Sequence, residues 1–127
     1  MVKKILALSC CSLMFCAFAC SDDDDNPRSV IDEYCEHEME CNTQQYVSYD
    51  KCYERMRGTY DQAYDYRRCT SEIRDAFLNE LKNMTDATCN ELYDFYDGKL
   101  SSDYFYDRKA ENRSTDCQID NYGQKYF

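Results

Sequence analysis

Ten cysteines in a chain of 127 residues constrain the fold more than any other feature. Cys10, Cys11 and Cys16 lie within an N-terminal apolar segment, and Cys20 follows directly after it. The remaining six, Cys35, Cys41, Cys52, Cys69, Cys89 and Cys117, form an even set able to make three disulfides. A chain this short buries a modest core, and cross-links of about 2–4 kcal/mol each compensate for it. Disulfides also require an oxidising compartment, so the domain is expected outside the cytoplasm.

The N-terminus supplies the route. Lys3 and Lys4 precede the uncharged run Ile5–Ala19, whose fifteen residues suit the apolar region of a signal peptide. The run falls short of the roughly 20 residues needed to span a bilayer. Ala17-Phe18-Ala19 closes it, and Cys20, Ser21 and four aspartates, Asp22 to Asp25, follow. This arrangement resembles the lipobox of bacterial lipoproteins, in which the cysteine becomes the lipid-bearing first residue of the mature chain. The resemblance implies removal of residues 1–19 and acylation of Cys20, by palmitate among other chains, with attachment to a membrane through the lipid. Cysteine parity agrees, because Cys20 would otherwise be an odd exposed thiol. Ala17-Phe18-Ala19 also fits an ordinary signal-peptidase site, which leaves a secreted, non-lipidated protein as the alternative. Ser21–Asp25 resembles the surface-export signal of Bacteroidota lipoproteins, implying an outer-membrane or cell-surface address. By composition, residues 20–28 are an acidic tether kept extended by self-repulsion.

Without residues 1–19 the chain has 108 residues, 13 of them basic and 25 acidic, for a net charge of −12. Such acidity excludes the basic footprint that nucleic-acid binding needs. It also disfavours adsorption of the folded domain to anionic lipid. Solubility is its simplest use; steering toward a protein partner with a cationic surface is the other. Thirteen tyrosines and six phenylalanines accompany no tryptophan. Tyrosine fills the wet edge of a small core and also anchors binding surfaces. The cluster Tyr104-Phe105-Tyr106 is the expected exposed contact patch.

Local signals are helical throughout. Asn26-Pro27 reads as an N-cap followed by proline at the first helical position. Val30, Ile31, Tyr34, Cys35, Glu38 and Cys41 then keep helical spacing, and Asn42 can end the helix. Ser48 caps a second segment with Tyr49, Cys52, Tyr53 and Met56 on one face, and Gly58 is expected to stop it. Thr59 with Gln62 forms a capping box for a third segment, its seam running through Tyr66, Cys69, Ile73, Phe77 and Leu81. Residues 60–82 are one helix, or two broken near Thr70-Ser71. Thr88 with Glu91 opens a further helix bearing Cys89, Leu92, Tyr93 and Tyr96, with Gly98 after it. A short helix around 102–111 and an irregular tail pinned by Cys117 complete the chain. Three glycines, one proline and no alternating strand pattern make residues 29–127 an all-α domain, a small bundle of four to five helices stapled by three disulfides.

Helix geometry limits the pairing. Cys35 and Cys41 on one helix are about 9 Å apart along the axis and face different ways. That exceeds the Cα separation of about 7 Å a disulfide tolerates, so each pairs elsewhere. Cys41–Cys52 suits the turn of a helical hairpin, with Cys35 reaching Cys69 or Cys89.

The stretch Tyr34-Cys35-Glu36-His37-Glu38-Met39-Glu40-Cys41, then Cys52, Cys69, and Phe77-Leu78 through Thr88-Cys89-Asn90-Glu91-Leu92, supports a second resemblance. It is similar to short exported proteins of Myxococcota and related groups, often lipoproteins and largely uncharacterised. Over residues 30–98 the likeness implies fold and location, and no activity.

Candidate chemistry is sparse. His37, the single histidine, shares a helical face with Glu33 and Cys41, and such a trio can ligate zinc or copper. Cys41 is needed for the disulfide set and a fourth ligand is missing, so neither metal nor other cofactor is expected. His37 reads as a solvated side chain among glutamates. A comparison with secreted phospholipases fails, because Glu38 follows the histidine where they place aspartate, and no glycine-rich loop precedes it. No nucleophile–base pair stands out, and paired carboxylates are too common here to be informative. Asp22–Asp25 lack EF-hand spacing. The acceptor motifs at Asn83 and Asn112 matter only in a eukaryotic host. The expectation is therefore a non-enzymatic, lipid-anchored envelope protein that acts by binding or structural presence. An acidic inhibitor, or a protein sequestering a cationic enzyme or peptide, is the alternative.

Overall fold

Asn26 begins the first helix as its sequence requires: the side-chain oxygen accepts the Arg28 amide at 2.9 Å, with Pro27 at the first position. The computed structural model describes residues 26–122, except the side chains of residues 65–67 and 121–122. The signal segment, Cys20 and the tether through Asp25 lie outside the described residues, as does the Tyr66 side chain.

Helix α1 spans Pro27–Cys41 and buries Val30, Ile31, Tyr34, Cys35, Glu38 and Cys41, the expected stripe residue for residue. Asn42 ends it in the left-handed region at φ 52°, its amide donating to the Glu38 and Met39 carbonyls. Gln44 is also left-handed, at φ 63°, and together these residues turn the chain back on itself. Thr43 then bonds Glu38, Tyr46 bonds Tyr34 and Tyr49 bonds Asp32, so residues 43–49 retrace α1 toward its start.

Helix α2 spans Tyr49–Gln62, its Ser48 cap accepting the Lys51 amide, with Cys52 and Met56 buried. Gly58 does not stop it, contrary to expectation, and Thr59 opens no capping box; both lie inside the helix. Contacts beyond Gly58 hold the extra turn. The Thr59 hydroxyl donates to the Arg55 carbonyl, and Arg74 both donates to the Tyr60 carbonyl and stacks on its ring at 4.4 Å.

A 3-10 segment, Ala63–Cys69, leads into α3, Thr70–Asp86, so the 60–82 region does divide at Thr70. Helix α3 is the axis of the bundle, packing on α1 and on α5. Two packed sides explain why it buries Ala76, Leu78, Leu81 and Met84, while Ile73 and Phe77 of the expected seam are half-buried. Helix α4, Cys89–Tyr96, opens with the complete Thr88–Glu91 capping box and is followed by Gly98 at φ 79°. The last helix, α5, is Arg108–Tyr122, where a short helix around 102–111 and an irregular tail were expected. Asp107 starts it by accepting the Lys109 and Ala110 amides. The buried face of α5 is small, Ala110 and Ser114, which hides its periodicity from a hydrophobic pattern.

The disulfides are Cys35–Cys52, Cys41–Cys89 and Cys69–Cys117, with Cα separations of 5.8, 5.2 and 5.8 Å. Cys35 and Cys41 do pair elsewhere. The expected Cys41–Cys52 bond, and Cys35 with Cys69 or Cys89, are overturned. Because the loop retraces α1, α2 starts beside Asp32 and Cys52 meets Cys35, leaving Cys41 at the far end for α4. Three disulfides on an all-α frame are the signature of an oxidising, extracytoplasmic environment. No helix among the described residues is long and apolar enough to cross a membrane.

Candidate binding cleft

Glu38 is a carboxylate on the apolar face of α1, and it is 0% exposed. Burying such a group is tolerable only when donors surround it. The hydroxyls of Thr43 and Tyr96 both donate to it. Tyr34 sits one turn earlier, its hydroxyl 3.1 Å from that of Tyr96 and 2.9 Å from that of Tyr46. Burial pushes the Tyr34, Tyr46 and Tyr96 hydroxyls above the ordinary phenol range, so all three keep their protons at physiological pH.

These tyrosines form one wall of a cleft of about 350 Å³ between α1, the 42–48 loop, α2, α3 and α4. Phe77 and Phe95 supply further rings, and Met56, Leu81 and Met84 supply aliphatic surface. Tyr34 meets Tyr46 edge-on at 82°, and Phe95 meets Tyr96 at 68°. Gln45, Arg55, Thr59 and Glu80 provide the remaining polar groups. Burial, reinforced by the nearby Glu111 carboxylate, raises Glu80 to about 7. An apolar hollow with a few convergent polar groups and a perturbed acid is the form small-ligand sites take.

Two other hollows differ in chemistry. One, of about 600 Å³, lies where α1 and α2 begin and is lined by Arg28, Asp32, Asp50 and Glu54 with Tyr49 and Tyr53. The other, of about 660 Å³, places Arg68, Arg74, Lys82 and Arg113 among Glu72 and Asp75, where Arg113 and Asp75 pair at 2.7 Å. Both are lined mainly by charged side chains.

The expected contact patch is not assembled as a unit. Tyr104 and Tyr106 are exposed, at 46% and 40%, but Phe105 is core, 4% exposed and packed against Phe95 at 5.0 Å. The Tyr104 hydroxyl is taken up by Glu91 at 3.0 Å. His37 is not solvated among glutamates either. It is half-buried, its Nε2–H donates to the Ala87 carbonyl at 2.7 Å, and its ring lies against Cys41 Sγ. Since Cys41 is bonded to Cys89, the Glu33–His37–Cys41 face offers no thiolate. Sequence reasoning missed the cleft, although Glu38 on an otherwise apolar stripe signalled a buried polar centre.

Comparison of this chain with protein-family models, with curated proteins and with solved structures finds no match in any of the three.

Proposed function

We propose that the protein is exported, held at the outer membrane by lipid on Cys20, and acts there as a binding module through the aromatic cleft. The cleft carries this reading: a domain with a modest core keeps three tyrosine hydroxyls and a buried glutamate organised beside an open apolar hollow. The lipobox-like sequence before Cys20 and the acidic run after it support the anchored placement.

Cell fractionation tests the anchor. Cys20→Ala is expected to move the protein from the membrane to the soluble fraction, and retention in the membrane fraction overturns anchorage. A photo-crosslinking residue at Gln45, on the cleft, is expected to give an adduct on intact cells that the same probe at exposed Lys109 does not. Equal labelling at both positions overturns the cleft as the binding site.

A further inference from the structure

The hydroxyl chain beside the cleft has a direction. Each tyrosine hydroxyl carries one proton. Tyr96 spends its proton on Glu38, so in the Tyr34–Tyr96 contact Tyr34 is the donor. Tyr34 then has none left, and Tyr46 must donate to Tyr34. The Tyr46 oxygen, at the end of the chain and on the cleft, is left with acceptor capacity and no proton to give. Across the same cleft Glu80 is half-buried, and among the described residues no hydrogen-bond donor or cation meets it. Five aromatic rings, Tyr34, Tyr46, Phe77, Phe95 and Tyr96, complete the lining.

All three features favour a cation that brings its own N–H groups. An ammonium donates to a phenol oxygen and to a carboxylate, and ring faces attract it as well. Its alkyl stem matches Met56, Leu81 and Met84. Arg55, exposed at the cleft, is the one opposing charge among the described lining residues and would favour an anion. We infer that the cleft binds a primary alkylammonium group, with Tyr46 and Glu80 receiving the N–H donors and the aromatic rings surrounding the stem. The inference deepens the proposed binding role and rests on the cleft being its site.

The test uses the purified, fully oxidised protein and nuclear magnetic resonance titration at low salt and pH 8. The probes are hexylammonium, hexanol and hexanoate. Hexylammonium is expected to shift resonances of Tyr46, Phe77 and Phe95 saturably and to bind about tenfold more tightly than hexanol. Glu80→Gln and Tyr46→Phe are each expected to weaken hexylammonium several-fold and to weaken hexanol, whose single O–H makes only a neutral hydrogen bond, by less. Nα-acetyl-lysine methylamide separates the two sources of the group: binding as tight as hexylammonium points to a lysine side chain, and weaker binding to a free amine. Equal binding of hexanol, tighter binding of hexanoate, or no saturable shift with hexylammonium overturns the inference. These outcomes concern the ligand's chemistry alone, whereas equal crosslinking at Gln45 and Lys109 removes the cleft itself.

Discussion

The two helices packed on α3 are secured by different means. Helix α1 carries Ile31, Tyr34, Cys35 and Glu38 into the core, and two disulfides, Cys35–Cys52 and Cys41–Cys89, flank the buried tyrosine–glutamate network. Helix α5 contributes Ala110 and Ser114, an exposed Arg113–Asp75 pair and one disulfide, Cys69–Cys117. Exposed ion pairs contribute little, and small side chains bury little area. The cross-link therefore replaces a core in the second region and reinforces one in the first. The cleft lies on the α1 side of α3, between α1, the 42–48 loop, α2, α3 and α4.

Removing disulfides should break this contrast most strongly. Cys41–Cys89 and Cys69–Cys117 each span 48 residues, so chain entropy assigns both about 4 kcal/mol. Replacing Cys41 and Cys89 by Ser should lower global stability by about that amount in denaturant titration. Replacing Cys69 and Cys117 should instead release α5 locally, with hydrogen exchange rising in residues 108–122 and little change in α1. Matching exchange profiles for the two variants would dissolve the contrast.

Next in size is the polar centre. Glu38→Ala leaves the Thr43 and Tyr96 hydroxyls facing a void, and about 3 kcal/mol of stability should be lost. A loss below about 1 kcal/mol in thermal unfolding would show that water replaces the carboxylate there.

Glu80 gives a smaller, pH-dependent effect. Its carboxyl is raised from 4.5 to about 7 in the folded chain, so folding favours the protonated form. That contribution is complete below pH 4.5 and is lost as pH rises through about 7. With solvent screening allowed for, about 1–2 kcal/mol should disappear between pH 5 and pH 8. Glu80→Gln should flatten the profile; an unchanged pH slope in that variant would assign the titration elsewhere.

The smallest effect sharpens the reading of α2. Gly58 has open space where a Cβ would be and lies inside the helix. Gly58→Ala should stabilise by about 0.5–1 kcal/mol, whereas at a true left-handed stop it would destabilise. The sign of the change in melting temperature decides between them.

Gly58 also shows where sequence reading reaches its limit. The glycine signal is local and correct in kind, but Arg74 on Tyr60 carries the helix past it. Helix α5 failed for the converse reason: Ala110 and Ser114 bury a face that no hydropathy pattern marks. Phe105 was legible as a contact residue but not as core, because the ring it packs on, Phe95, belongs to α4, an earlier part of the chain.

By itself the sequence determined what depends on neighbours along the chain. The Asn26, Ser48 and Thr88 caps, the buried stripe of α1 including Glu38, the all-α class and an even set of six cysteines all follow from short-range spacing. Tertiary structure alone decided the disulfide partners and the cleft. The cleft and the Cys35–Cys52 pairing both depend on the two left-handed residues, Asn42 and Gln44, that send the loop back along α1 and bring Tyr46 to Tyr34 and Cys52 to Cys35. Helix spacing fixes which side chains share a face, but the path of a seven-residue loop, Asn42–Ser48, is set by the contacts it makes once folded.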